Sequence, residues 1–125
     1  MLVKNLTRGI KVVEENFTLD KVAKIMIANK VGEILFVSDK KLKGIVTEDD
    51  LLRNFDSKKK IKDVMTTKII TINEEESIDD ALSLMNENSI KRLPVTNSVE
   101  SVVGIIRLID IAKNAQELEG DFFFE

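Results

Sequence analysis

Apolar positions follow the same order twice along this chain. A short apolar run, at 10–13 and again at 69–72, precedes a segment in which apolar residues recur at helical spacing. Each segment opens after a hydroxyl residue, Thr18 or Ser77, and this residue type caps helix N-termini. The pattern therefore predicts a short strand followed by a helix of about a dozen residues in both places.

Two further strands and a second helix complete each copy. Apolar runs separated by polar turns predict two pairs of strands, at 34–37 with 42–46 and at 93–95 with 102–106. Helices are then predicted at 49–54 and at 109–118. The order of elements is therefore β-α-β-β-α, and it occurs twice.

The repetition also holds residue by residue. Residues 10–37 align with 69–96 at an offset of 59, and after one inserted residue Gly44 aligns with Gly104. Because a copy of about 60 residues cannot cover both faces of a three-stranded sheet, we expect an α+β fold whose two repeats pack about a pseudo-two-fold axis. The predicted organisation is a first repeat at 1–60, a second repeat at 61–118 and a C-terminal tail at 119–125.

The composition excludes several kinds of chemistry. The chain of 125 residues contains no Cys and no His, which removes disulfides, thiol or imidazole catalysis and the usual zinc ligands. Its acidic residues are scattered rather than clustered. We therefore expect a protein that is not an enzyme and holds no metal of its own.

The proportions of apolar and charged residues indicate a soluble protein. Hydrophobic residues make up 43% of the chain and charged residues 33%, enough for a core and a polar cover. No apolar run approaches the roughly 18 residues of a membrane span, and residues 1–5 become polar too early for a signal peptide. We expect a cytoplasmic protein without membrane contact, and its richness in Lys, Glu and Ile is typical of thermophiles.

The chain has a net charge of −3, and its charged residues are unevenly distributed along the sequence. Residues 1–60 hold 13 cationic and 9 anionic side chains, whereas residues 61–125 hold 6 and 13. The largest basic run is the three lysines at 58–60, and no basic face interleaved with aromatic residues accompanies it. This pattern disfavours nucleic-acid binding, and the lysines are typical of a solvated linker.

A polar element in the first copy has two interpretations. Gly44 to Asp50 spans the point where a strand gives way to a helix. Backbone N–H groups there suit an anion, the Thr47 hydroxyl can donate to a phosphate, and the Asp50 carboxylate can accept from both hydroxyls of a ribose. Thr47 and Asp50 are also spaced as a capping box, in which they satisfy backbone donors of the helix itself.

The second copy keeps the carboxylate but changes its neighbour. Arg107 stands at the position of the hydroxyl, while Asp110 stays in place. Asp110 either serves a ligand or favours the helix dipole. Arg107 either clamps a phosphate through two hydrogen bonds or fills the pocket and pairs with Asp110.

These motifs together resemble a known family. Two β-α-β-β-α copies, each ending in the pattern Gly-h-h-(Thr/Ser)-x-x-Asp before a helix, are similar to a tandem pair of CBS (cystathionine β-synthase) domains, although Arg107 replaces the hydroxyl residue in the second copy. The run Ile-Lys-Arg-Leu-Pro-Val at 90–95 adds to the likeness. Segments 3–7 and 61–66 also resemble the lead-in that the family places before its first strand. The resemblance covers essentially residues 1–118.

The resemblance implies a regulatory module for sensing cellular energy state. Such pairs bind adenosine-containing ligands, namely AMP, ADP, ATP or S-adenosylmethionine, in clefts between the copies. They need no cofactor, and Mg²⁺ would arrive only with a triphosphate. The resemblance also implies a homodimer and a separate effector protein, which the sequence does not identify. The alternative is a dimeric interaction scaffold whose nucleotide sites have decayed and hold no ligand.

The resemblance also assigns residues to the ligand. It implies that Asp50 and Asp110 hold ribose hydroxyls and that Thr47 contacts phosphate. Further ligand-lining positions are Thr71, Arg92, Pro94 and Val95 in the second copy and Val12, Gly32 and Glu33 in the first.

The two copies differ in charge at matching positions. Acidic Glu33 stands where the second copy has Arg92, so the first-copy site is expected to prefer a less anionic ligand. The phosphorylated nucleotide is then expected at the site that holds Asp110 and Arg107.

The C-terminal tail has no counterpart in the first copy. It contains three consecutive phenylalanines at 122–124, which cannot all face one core. Either the tail frays, or it docks on a groove or on a partner subunit.

Overall fold

The computed structural model describes residues 1–54 and 58–123, with side chains described up to residue 115. The chain forms two compact units. The first unit is Ile10–Ile69, and the second unit combines Met1–Gly9 with Ile70–Glu125. The units therefore divide near residues 9 and 69, whereas the sequence repeat divides at residue 60. The two divisions differ because the lead-in segment that precedes each copy in the sequence packs with the body of the other copy.

In its described residues, the first unit contains a three-stranded sheet and three helices. Its elements are β1 Lys11–Val13, α1 Leu19–Asn29, β2 Glu33–Ser38, β3 Lys41–Thr47, α2 Glu48–Arg53 and α3 Ile61–Val64. The sheet order is β1-β2-β3, with β1 parallel to β2 and β2 antiparallel to β3. A helical crossover thus joins the parallel pair and a hairpin joins the antiparallel pair.

The second unit repeats this architecture. Its elements are a 3-10 turn at Val3–Asn5, β4 Ile72–Asn73, α4 Ile78–Asn88, β5 Arg92–Thr96, β6 Val102–Arg107 and α5 Leu108–Phe123. Its sheet order is β4-β5-β6, again with one parallel and one antiparallel pair. The predicted α+β class and the duplicated order of elements are confirmed.

Hydroxyl caps start α1 and α4 as predicted. The Thr18 Oγ1 accepts a hydrogen bond from the Lys21 amide at 3.4 Å, and the Ser77 Oγ accepts from the Asp80 amide at 3.0 Å. These bonds satisfy N–H groups that have no partner within a helix. Each helix also contributes a buried methionine, Met26 or Met85, to the core of its unit. Both methionines therefore serve core packing.

Each lead-in segment is held by buried residues and a short β-bridge. Val3 and Ile61 are fully buried in the cores of the second and first units, respectively. In the second unit, Arg8 and Ile105 exchange two backbone hydrogen bonds, both of 2.9 Å. In the first unit, Thr66 and Ile45 make the equivalent pair at 2.9 and 3.1 Å.

The structure corrects several predicted boundaries. The strand predicted at 69–72 is β4 at Ile72–Asn73, because only these two residues pair with β5. Helix α5 begins at Leu108 and continues to Phe123, beyond the predicted end at 118. The backbone of the predicted tail is therefore helical up to Phe123. The question of whether its phenylalanine side chains dock or fray lies outside the described residues.

None of the described helices combines the length and the apolar character that crossing a bilayer requires.

Candidate functional site

The junction between β6 and α5 brings Arg107 and Asp110 together. Arg107 is the last residue of β6, and Asp110 lies in the first turn of α5, three positions later. The Arg107 Nε donates to Asp110 Oδ2 at 2.8 Å, and its Nη2 donates to Oδ1 at 3.1 Å. Of the two alternatives for Arg107, the structure shows the pairing with Asp110.

A third residue, which no local sequence pattern predicts, completes this cluster. The Arg8 Nη1 lies 3.4 Å from Asp110 Oδ1, although the two residues are 102 positions apart. The Asp110 side chain is only 14% exposed, whereas that of Arg8 is 58% exposed. Arg8 was missed because its segment precedes the first copy in sequence but belongs to the second unit in space.

The two arginines change the acidity of Asp110. The hydrogen bonds from Arg107 are the main reason that the pKa of Asp110 lies below its ordinary value of 3.8. Partial burial opposes this by raising the pKa, while the positive charges of Arg107 and Arg8 lower it further. Asp110 is therefore ionised at neutral pH and presents acceptor oxygens only.

A cavity with cationic walls adjoins this cluster in the second unit. Its volume is about 360 Å³, and it is lined by Lys91, Arg92, Arg107, Leu108, Ile109 and Ala112. Arg92 and Arg107 are register partners on β5 and β6, which puts both side chains at the same end of the sheet. Three basic residues in one concave wall suit an anionic ligand.

The first unit arranges the equivalent residues differently. The Asp50 Oδ2 accepts from the Thr47 amide at 2.8 Å and from the Thr47 hydroxyl at 3.3 Å. Asp50 therefore performs the capping role that its spacing predicted. The Gly32 carbonyl accepts from the Glu48 amide at 3.0 Å, which places Gly32 beside the start of α2.

The charges at these two junctions are opposite. Glu33 pairs with Thr47 in the register of the first sheet and is only 2% exposed, and two further acids, Glu48 and Asp49, begin α2. At the matching positions the second unit has Arg92, Leu108 and Ile109. Among the described residues, those at the second junction combine a carboxylate with several cations.

The remaining candidate residues lie elsewhere. Thr71 is exposed just before β4, while Pro94 and Val95 are buried on β5, where Val95 belongs to the core. None of these three lines the cationic cavity. Val12 is 42% exposed on β1 and lines a more open cavity of about 740 Å³ along α1.

Fold and site together define a duplicated α+β domain with an aspartate at each final strand-to-helix junction. The family model of the CBS domain matches this chain twice, at residues 3–57 and 61–117. The chain belongs to the CBS-domain family.

Two proteins of different lengths are similar in sequence to most of this chain. The uncharacterized protein MJ1232 of Methanocaldococcus jannaschii is 37% identical over 109 residues, which cover 84% of this chain. The CBS domain-containing protein YhcV of Bacillus subtilis is 31% identical over 119 residues, which cover 91% of this chain. The matches span 37% of the length of MJ1232 and 84% of that of YhcV.

Solved structures share the fold over nearly the whole chain. The CBS domain pair of protein MJ0100, crystallised with 5′-methylthioadenosine and S-adenosyl-L-methionine, superimposes with a TM-score of 0.86 at 29% identity. That match covers 94% of this chain and 98% of the other. The CBS domain protein PAE2072 of Pyrobaculum aerophilum, complexed with AMP, gives a TM-score of 0.82 at 23% identity. This second match covers 95% of this chain and 97% of the other and supports the fold.

Proposed function

We propose that this protein is a regulatory module that binds an adenosine-containing ligand and signals its presence to a separate protein. The observation that carries the proposal is the junction at Asp110, where an ionised carboxylate lies beside a cavity with basic walls. The adenosine ligands held by the similar CBS pair of MJ0100 support it. The module needs no catalytic group and no cofactor.

Each part of a phosphorylated nucleotide has a partner of matching chemistry at this site. The Asp110 oxygens accept hydrogen bonds from ribose hydroxyls, and the guanidinium groups of Arg92 and Arg107 attract the phosphate. We therefore assign AMP, ADP or ATP to the second-copy site. Mg²⁺ would enter only as the counter-ion of a triphosphate. The first-copy site, with Thr47 and Asp50 beside acidic neighbours, is assigned a less anionic ligand such as S-adenosylmethionine.

A ligand panel tests this proposal. Protein shown to be free of bound nucleotide is heated with AMP, ADP, ATP or S-adenosylmethionine, because a ligand that binds the folded state raises the melting temperature. We expect Asp110→Ala to abolish the shift caused by the nucleotides and Asp50→Ala to reduce the shift caused by S-adenosylmethionine. Asp79→Ala is the matched control, since Asp79 is an exposed aspartate in the first turn of α4. A shift that survives in Asp110→Ala and disappears in Asp50→Ala would reverse the assignment.

Signalling requires a change in the protein when the ligand binds and a partner protein that responds to this change. We propose that the protein works as a homodimer and that ligand binding changes its affinity for an effector protein. Hydrogen exchange with and without the nucleotide checks the first step. Identical protection in both states would contradict a switch.

A ligand-free scaffold is the second candidate, and one observation favours it. Both junction aspartates already have partners within the chain, Thr47 for Asp50 and the two arginines for Asp110. If none of the four ligands raises the melting temperature or releases heat on titration, the scaffold is the better account.

A further inference from the structure

The carboxylate of Asp110 has little capacity left for a ligand. An ionised carboxylate offers about four acceptor positions on its two oxygens. Among the described residues, three N–H groups already donate to Asp110, namely Nε and Nη2 of Arg107 and Nη1 of Arg8. About one position therefore remains, whereas the two hydroxyls of a ribose need two. A ribose that binds here with both hydroxyls displaces at least one guanidinium N–H.

Of the two arginines that contact Asp110, Arg8 is the one that a ligand displaces more easily. Its contact with Asp110 is 3.4 Å long, compared with 2.8 and 3.1 Å for the two contacts of Arg107. The Arg8 side chain is 58% exposed and that of Arg107 is 21% exposed, so water replaces a lost contact of Arg8 at little cost. Arg107 also binds through two parallel hydrogen bonds, which makes its pair the stronger one.

Arg8 stays at the site after it leaves Asp110. Its backbone exchanges two hydrogen bonds of 2.9 Å with Ile105, in the middle of β6. Only the guanidinium end of the side chain needs to move. The released cation therefore remains next to the ligand that displaced it.

We propose that Arg8 is a specificity-determining residue of the second-copy site: when a ribose binds Asp110, Arg8 exchanges the carboxylate for the phosphate of the ligand. This inference rests on the proposed function and deepens it. A phosphorylated ligand supplies a new anionic partner for Arg8, and an arginine fork matches phosphate oxygens well. An uncharged adenosine ligand also binds the Asp110 carboxylate, but it supplies no anionic partner for Arg8. The exchange thus selects 5′-phosphorylated adenosine over an uncharged adenosine thioether.

The test compares two ligands that differ in this one feature. Calorimetric titration gives the affinities of the wild-type protein and of Arg8→Gln for AMP and for uncharged 5′-methylthioadenosine. We expect Arg8→Gln to weaken AMP binding roughly fivefold to tenfold, as the loss of one charge-assisted contact does. Binding of 5′-methylthioadenosine is expected to stay the same or to tighten. The preference for AMP therefore falls by about fivefold or more.

Lys4→Gln is the matched control. It removes one positive charge from the same segment, but Lys4 pairs with Glu75 at 3.1 Å and not with Asp110. We expect it to leave the preference for AMP within about twofold of wild type. Arg8→Lys, which keeps the charge and loses the fork, is expected to reduce the preference less than Arg8→Gln and serves in its place if that variant does not fold.

The outcomes separate this inference from the proposed function. If wild-type protein binds both ligands and Arg8→Gln keeps the same preference, Arg8 has no role in specificity while the proposed function stands. If Lys4→Gln lowers the preference as much as Arg8→Gln, general charge rather than Arg8 explains the effect, and the inference is overturned. If nucleotide-free wild-type protein binds neither ligand, the proposed function is wrong, and the inference about Arg8, which depends on it, is wrong as well.

Discussion

Asp50 and Asp110 occupy the same position in the two repeats, but their carboxylates meet different partners. Asp50 accepts hydrogen bonds from the amide and the hydroxyl of Thr47, so its partners are neutral. Asp110 lies between the guanidinium groups of Arg107 and Arg8. The first aspartate therefore stabilises a helix start, while the second holds two cations at the edge of a cavity.

The capping role of Asp50 predicts a loss of stability even without ligand. We expect Asp50→Ala to lower the free energy of unfolding by about 1 kcal/mol, because an N–H at the start of α2 loses its acceptor. Its neighbour Asp49 is exposed in the same first turn, and Asp49→Ala is expected to cost only a few tenths of a kcal/mol through the helix dipole. Urea unfolding measures both variants. Equal losses would contradict the cap.

The lowered pKa of Asp110 predicts how stability depends on pH. Because its pKa in the folded protein lies below the ordinary 3.8, the unfolded chain takes up this proton first as the pH falls. The stability from Asp110 is therefore fully present above 3.8 and is lost as the pH falls through its folded pKa. We expect wild type to be more stable than Asp110→Asn at pH 7 and this difference to shrink as the pH falls below 3.8. A difference that stays constant in urea unfolding over this range would show that Asp110 is not held by the arginines.

At the scale of elements, each lead-in segment packs closely against a glycine in the last strand of its sheet. A Cβ at Gly104 would meet the backbone oxygen of Arg8 and the Thr7 side chain, whereas the three atoms nearest to a Cβ at Gly44 all belong to the side chain of Met65. The backbone of Arg8 is held by two hydrogen bonds, so it can move less than the flexible side chain of Met65. The two glycines are therefore equivalent in sequence but differ in how much change they tolerate.

This difference predicts unequal effects of the same substitution. We expect Gly104→Ala to destabilise the protein by roughly 1–3 kcal/mol through overpacking and to loosen the segment that carries Arg8. Gly44→Ala is expected to cost less, because Met65 can adopt another rotamer. Urea unfolding of both variants, with hydrogen exchange at the Arg8 amide, makes the comparison. Equal losses of stability and unchanged protection at Arg8 would contradict it.

The elements themselves were largely predictable from the sequence, for physical reasons. Hydroxyl caps and apolar spacing located α1 and α4, because these signals act within a few residues. The extent of β4 and the position of Arg8 were not predictable, since both depend on pairing between segments far apart in the chain. The spacing also marked Asp110 and Arg107 as a pair without deciding between a phosphate clamp and a mutual ion pair. That choice depends on side-chain geometry.

At the scale of the whole molecule, the two repeats have diverged in charge while keeping one fold. The junction of the first unit holds acids at positions where the second unit holds Arg92 and apolar residues. The buried cores of both units are built from the same kinds of strand and helix positions, whereas the residues at the two strand-to-helix junctions differ in charge. Two junctions of opposite charge suit two ligands of different charge.

The proposed homodimer is tested by apolar side chains that the single chain leaves exposed. Ile27 on α1 is 78% exposed and Leu52 on α2 is 65% exposed, so both apolar side chains are accessible to a second protomer. We expect Ile27→Glu to shift the protein from dimer to monomer in sedimentation velocity. Val99→Glu is the control, because Val99 is 76% exposed but lies in the loop between β5 and β6. A dimer that persists in Ile27→Glu would exclude this helix from the interface.

One titration tests the central claim most directly. AMP is titrated calorimetrically into nucleotide-free wild-type protein and into Asp110→Ala, with Asp79→Ala as the control. We predict a saturable isotherm for wild type and the control and no measurable binding in Asp110→Ala, because the ribose then loses its acceptor. The same isotherm in all three proteins, or no heat in any of them, would contradict the assignment of the nucleotide site to Asp110.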